Sequence, residues 1–252
     1  MQPYYKFLGK ASSFQFRKNY FLERLRYIES HLRSAAGQAI WDCGCGYGTT
    51  AIFLALNGIA VHGTTLEFYF PVIQKRLDFW RQHGDVSGFT CSYENLFDAP
   101  PTPATYDWII VQDTLHHLEP IDEAIRIFHQ SLKPGGRILA IEENGNNIIQ
   151  QAKLYKYRGN KRIINYWDEK LQKHIPMGNE NIRPLKAWRG ILRAGGFAID
   201  EPSVNYVRYF LPYRYRISNG DALLTQERHL QQKSSLRREY FFFGLNFVAR
   251  KQ

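Results

Sequence analysis

Residues 42–48 read Asp-Cys-Gly-Cys-Gly-Tyr-Gly, with glycine at every second position behind an acid. An apolar run through Ala39–Trp41 leads in and a helix-forming run from Thr49 leads out. Gly44, Gly46 and Gly48 therefore occupy a strand-to-helix turn, where bare backbone lets a ligand approach the main chain and the helix N-terminus. The spacing is not the dinucleotide fingerprint, which would place glycine where Thr49 stands. Asp42 points the same way, because a carboxylate repels a pyrophosphate and attracts an ammonium group. Glu67, 19 residues beyond Gly48, closes the next strand-like run and can accept two hydrogen bonds from a ribose diol. The expected ligand is a cation that carries ribose but no phosphate. His116 and His117 follow another strand-like run that ends at Asp113. An imidazole titrates near neutral pH and can take a proton from a hydroxyl or an acidic carbon. Adjacent residues on a helix cannot both face one pocket, so His117 is the favoured base and His116 the second choice. The competing reading for each is a helix-start histidine bonded to backbone.

The elements that must position these groups alternate. A helical pattern over 16–33 comes first. Strands are predicted at about 39–42, 60–67, 88–96, 106–113 and 137–144, with helices at about 49–57, from Pro71 onward, and at 121–132. Strand and helix in turn over some hundred residues imply βαβ units on a parallel sheet covered on both faces. The rhythm stops at 145–181, where no clear strand is visible. It resumes with a helix at 183–196, a strand at 197–210 continued as far as 217, a polar helix at 221–238 and a last strand at 240–251. In the strand through 204–217, Tyr206, Arg208 and Phe210 should share one face, and Val207, Tyr209 and Leu211 the other.

A ribose-bearing sulfonium, S-adenosylmethionine, meets the ligand description. The sequence resembles the class I S-adenosylmethionine-dependent methyltransferases: "DCGCGYG" is similar to their glycine loop, Glu67 to the acid on the ribose, and "YENLFD" to the adenine-contacting segment. "QDTLHHLEP" is similar to the segment beneath the methionine, and "LKPGGRILAIEEN" to their turn into strand five. The resemblance implies an α/β fold with a Rossmann-like seven-stranded sheet, mostly parallel with an antiparallel last strand. It also implies that Asp42, Gly44, Cys45, Gly46, Gly48, Glu67, Glu94, Asn95, Leu96 and Asp113 hold the cofactor. Many members place aspartate beside a small residue where this chain has Glu94-Asn95, so either residue is a candidate for the adenine amino group. A single domain is expected: a helical lid at 1–37 carrying Tyr4, Tyr5 and Tyr20, a cofactor core at 38–144, an acceptor-side insertion at 145–181, and completion of the sheet at 182–252.

Charge and composition frame the acceptor. The formal net charge is +10. Residues 1–144 carry 13 Lys/Arg against 15 Asp/Glu, whereas 145–252 carry 20 against 8, so the whole basic excess lies in the later part. "AKLYKYRGNKR", at 152–162, places five basic residues and two tyrosines in eleven positions. Aromatic walls with a basic rim, drawn from 153–162, Arg208, Arg214 and Arg216, fit an apolar or aromatic acceptor with an anionic group, either a small molecule or a lipid-linked one. RNA is the rival reading, because basic residues among aromatics also suit phosphates and stacked bases. A binding subunit without catalysis is the third. Three cysteines, two as Cys43-x-Cys45, make neither a disulfide framework nor a zinc signature, so no metal is expected. The N-terminal stretch lacks a signal-peptide apolar run and no run is long enough to span a membrane, so a cytoplasmic location is expected.

Overall fold

The computed structural model of the chain describes residues 11–66 and 69–252. Tyr4, Tyr5 and Glu67 lie outside the described residues. Helix α1 (Ala11–Leu32) precedes the alternating core of β1 (Ile40–Cys43), α2 (Thr49–Leu56), β2 (Val61–Thr65), α3 (Phe70–Trp80), β3 (Phe89–Tyr93), β4 (Tyr106–Gln112), α4 (Ile121–Ser131) and β5 (Leu132–Glu143). After α5 (Ile148–Arg158) come β6 (Ile163–Asp168), β7 (Lys173–Gly178), α6 (Leu185–Ala194), β8 (Phe197–Val207), α7 (Arg214–Ile217), α8 (Gly220–Lys233), α9 (Ser235–Phe241) and β9 (Gly244–Lys251).

Seven strands form one sheet in the order β3-β2-β1-β4-β5-β9-β8. The first five pair in parallel, and β9 runs antiparallel to both β5 and β8. This is the expected seven-stranded α/β sheet with an antiparallel last strand in chain order. Its strand order reverses between β1 and β4, and there a parallel sheet opens a crevice at its carboxyl edge. The glycine turn after β1 and the histidine turn after β4 both emerge at that crevice.

Period-two alternation divides the core. Trp41, Ile109, Ile138 and Phe247 pack on one face with Phe128 of α4 and Trp188 of α6. Ile40, Ile110, Leu139 and Val248 pack on the other with Ile28 and Leu32 of α1 and Leu54 of α2. Successive strand residues point to opposite faces, so a strand covered on both sides must be apolar throughout. β1 is buried at all four residues, three of them apolar, with Asp42 the exception. Burying side chains of this size contributes about 1.5–3 kcal/mol each, which fixes the register that aims both turns.

Three expectations need correction. The stretch 145–181 holds α5 and a β6–β7 hairpin paired from Ile163↔Gly178 to Asp168↔Lys173. β6 alternates exposed and half-buried residues, and β7 contains Pro176, so neither carries the apolar signal of a core strand. The strand expected through 217 ends at Val207. Arg208 takes φ 65°, and the chain turns into α7, so the two-face assignment beyond Val207 does not hold. The polar helix over 221–238 is two helices, broken at Ser234, whose side chain accepts from Arg237 N and starts α9.

Candidate functional site

A cavity of about 490 Å³ lies at the carboxyl edge of β1, β2 and β4. Gly44, Gly46, Glu94, Asn95, Leu96, Asp113 and His117 all line it. The glycine loop is fastened beneath, since Gly44 N and Cys45 N both donate to Thr64 O at 2.9 Å. Gly44 and Gly46 have φ of 77° and 52°, in the left-handed region that glycine occupies without strain. They differ in what surrounds them. A Cβ on Gly44 would lie 2.5 Å from Thr114 Oγ1, whereas one on Gly46 would meet nothing nearer than Tyr69 at 4.0 Å. Gly44 thus lets the two turns pack together, while the space over Gly46 belongs to the cavity.

The other expected cofactor residues stand behind this wall. Asp42 is fully buried, both its carboxylate oxygens lack a partner, and burial pushes it up to about 7. Cys45 Sγ packs 3.7 Å from Cys91 Sγ, and Gly48 lies against the Phe89 ring. The donor set fits the cofactor: an orphaned carboxylate below the loop, open space over Gly46, and carboxylates at Glu94 and Asp113. Glu94 and Asn95 both line the cavity, and the Asn95 amide donates to Asp98 at 3.0 Å.

Asp113 sits just past β4 with φ 49° and pairs with Arg24 of α1 at 2.7 Å. Burial raises its carboxyl, but Arg24 and Arg208 outweigh that and hold it below the usual range. The same residue borders a second cavity of about 370 Å³ under α1, lined also by Arg17, Tyr20 and Arg208. Tyr20, expected in a lid over the cofactor, lines this second cavity instead and donates to Glu227 at 2.7 Å. Arg208, expected on a free basic rim, is ion-paired with Glu143.

The two histidines occupy a single 3-10 turn, Leu115–His117, and their environments separate them. His116 is buried with Nδ1 2.5 Å from Glu142 Oε2. Burial lowers its pKa, but the Glu142 carboxylate prevails and raises it to about 9. Glu142 also accepts from Thr114 N at 3.0 Å and Leu115 N at 2.8 Å, so it staples the whole turn. His117 Nδ1 lies 2.9 Å from Gly178 O. A carbonyl only accepts, so Nδ1 carries the proton and Nε2 the lone pair. Burial and the neighbouring His116 lower its pKa, keeping it neutral.

The hairpin supplies what the sequence did not disclose. Ile175, Met177 and Glu180 join His117 on the cavity wall, and Leu118 bridges to Met177. Gly178 is pressed so closely on the turn that a Cβ there would lie 2.0 Å from His116 O. Asn181 N donates to His116 O at 3.2 Å, and Asn181 Nδ2 and Arg183 both bond Glu119. A glycine and a proline in a polar stretch were the available signals, and they mark a close backbone approach without naming its partner.

Comparison with known proteins agrees with this geometry. Residues 41–138 match the family description "Methyltransferase domain". The ubiquinone biosynthesis O-methyltransferase of Azotobacter vinelandii is 30% identical over 184 residues, which cover 71% of this chain and 72% of that protein. Its counterpart from Idiomarina loihiensis is 29% identical over 126 residues, covering 49% of each chain. Among solved structures, phosphoethanolamine N-methyltransferase 2 of Haemonchus contortus in complex with S-adenosyl-L-methionine superimposes with TM-score 0.51 at 17% identity, covering 85% of this chain and 48% of that one. The [4+2]-cyclase SpnF superimposes with TM-score 0.55 at 20% identity, covering 85% and 74%. Those two likenesses speak for the fold alone, and the cyclase shows that this fold also serves other chemistry. With the glycine loop, the cavity and the sequence relatives together, the chain belongs to the class I S-adenosylmethionine-dependent methyltransferases, enzymes that use S-adenosylmethionine as cofactor.

Proposed function

We propose that the enzyme methylates a hydroxyl oxygen of a small-molecule acceptor seated between Asp113, the His116–His117 turn and the β6–β7 hairpin. One observation carries the reading: His117 is a neutral wall residue whose Nδ1–H is committed to Gly178 O, leaving Nε2 as the nitrogen available in the cavity. The relatives named as O-methyltransferases support oxygen as the acceptor atom.

The cofactor supplies an electrophilic sulfonium methyl. The chain's own residues do the rest. Bare backbone at Gly44 and Gly46 admits the cofactor, Glu94 takes the adenine amino group, and Glu67 takes the ribose diol. Leu96, Phe97, Ile175 and Met177 on the cavity wall exclude water and hold the acceptor in line with the methyl. His117 is the side chain through which the acceptor hydroxyl loses its proton, while His116, committed to Glu142, positions the turn.

An apolar tail on the acceptor is part of the proposal. Ile148, Ile149, Tyr155 and Tyr157 of α5 are exposed beside Lys153 and Lys156, and the last residue of the helix, Arg158, donates to Glu180 O at 3.3 Å. An anionic group on the acceptor finds support in Arg17 at the second cavity, where Arg24 and Arg208 are already neutralised by Asp113 and Glu143.

The test is incubation of host extracts with the enzyme and cofactor carrying a deuterated methyl. A labelled low-mass or lipid product with an added methoxy group is expected. Label confined to RNA or to protein would sink the reading.

A further inference from the structure

His116, His117 and Glu180 each offer one donor atom, and these atoms all lie within 4.8 Å of one another. Both rings are fixed from behind: Glu142 stands at Nδ1 of His116, 2.5 Å away, and the Gly178 carbonyl accepts the Nδ1 proton of His117 at 2.9 Å. In each ring Nε2 is what remains for another partner. His116 Nε2 is 3.8 Å from Glu180 Oε2, too long for a hydrogen bond. It is near the separation of about 3.4 Å that two ligands keep in a tetrahedral set with bonds of about 2.1 Å.

We propose that His116 Nε2, His117 Nε2 and the Glu180 carboxylate hold one divalent transition cation of the zinc type, and that the acceptor's hydroxyl oxygen takes an open position on it. This rests on the hydroxyl-acceptor reading above. Two imidazoles and one carboxylate leave coordination positions unfilled, the pattern of catalytic zinc sites and not of closed structural ones. A carboxylate behind one ring and a backbone carbonyl behind the other are the outer partners that metal-binding histidines carry.

A cation here would stand between two carboxyl groups, Glu180 as a ligand and Glu142 behind His116 at 2.5 Å. Glu180 is held over the rings by its φ of 52° and by the contacts of its neighbours Gly178 and Asn181 with His116 O. Its side chain is 39% exposed, which leaves a path of entry. Two of the three residues, His117 and Glu180, line the cavity that Gly44 and Asp113 also line, so an oxygen on the cation would share the cofactor's chamber. Coordination lowers the proton affinity of a bound hydroxyl, so His117, with Nε2 on the cation, would promote proton loss by holding the metal in place of taking the proton itself, and the proton leaves to solvent.

The experiment strips the full-length protein with chelator and titrates it with Zn²⁺ and, separately, Co²⁺. Uptake of one zinc per chain is expected, with a visible Co²⁺ absorption of a four- or five-coordinate site. Glu180→Ala and His117→Ala should each weaken zinc binding by more than about 100-fold, and Glu142→Gln by about 10- to 100-fold, the range for outer partners. Should His117→Ala fail to fold, the partly exposed Glu180→Ala decides. No uptake by the unaltered protein, or uptake unchanged in Glu180→Ala, overturns the site. Stripped enzyme that methylates at full rate overturns the cation's part in proton loss and leaves the methyltransferase reading intact. Zinc uptake and cofactor binding with no labelled hydroxyl product overturn the acceptor reading and leave the cation site standing.

Discussion

The cavity has two ends built in different ways. At the cofactor end, the wall comes from the glycine turn after β1 and from the segments that follow β2 and β3, each beside its own strand. At the end proposed for the acceptor, the wall joins the turn after β4 to the last residues of β7 and the segment beyond, some 60 positions later, through Leu118↔Met177, His117 to Gly178 O, and Asn181 to His116 O. The first end is a property of a parallel sheet whose strand order reverses between β1 and β4. The second is an addition, held to the sheet by a few polar contacts and one tight glycine. Cofactor binding and acceptor chemistry should therefore fail separately when each end is disturbed.

Gly46→Val strikes the first end hardest. Its side chain would enter the space above the loop and force a β-branched residue into a φ of 52°. Calorimetry should show cofactor binding lost entirely in a protein that retains its circular dichroism. Retained binding would mean that the cofactor does not lie over the loop.

His117→Ala strikes the second end. Turnover should fall by about 10²- to 10⁴-fold, the usual contribution of a group that handles a proton, while cofactor affinity stays nearly unchanged. A matching loss of cofactor affinity would erase the distinction between the two ends.

Asp42 ties the cofactor end to pH. Burial raises its folded-state pKa from 3.8 to about 7, so the native state holds a proton that the unfolded chain releases. The stability this proton lends is complete below about pH 4 and is lost as pH rises toward 7. At one pKa unit per 1.36 kcal/mol, the cofactor-free enzyme should lose about 2–4 kcal/mol across that window through this group. Thermal melts at pH 5 and pH 7 should differ in that direction, and Asp42→Asn should flatten the difference. Melts that are equal in the unaltered protein would place Asp42 in a better solvated site.

The smallest effect is expected at the link between the ends, the ion pair of Lys173 in β7 with Asp98 after β3. Both side chains are about 40% exposed, so Lys173→Ala should cost less than about 1 kcal/mol. Chemical denaturation that showed a much larger loss would make the hairpin an integral part of the core.

Much of the first end was legible because the signal is local. Asp42 and the three glycines stand at every second position within seven residues, and the strands around them are largely apolar on both faces, so pattern and spacing alone placed the turn at the sheet's edge. The second end was legible only at the histidines. Nothing in "IINYWD" or "KHIPMG" reads as a core strand, because the hairpin walls a cavity and leaves half its residues to solvent. Arg208 failed for a related reason: a left-handed φ at a residue other than glycine is imposed by surroundings, and it ended a strand that alternation alone would have continued.

The sequence by itself determined the sheet, the cofactor loop and the family, since these follow from residue type at short range and from burial on two faces. Only the tertiary structure decided how the two histidines differ. His116 and His117 are chemically alike and adjacent, and what separates them is a carboxylate 26 positions away and a carbonyl 61 positions away. Glu180 entered the site the same way, carried there by a hairpin whose docking on the turn depends on close backbone contact at Gly178. Contacts between distant segments are set by how the faces pack, and no spacing along the chain records them.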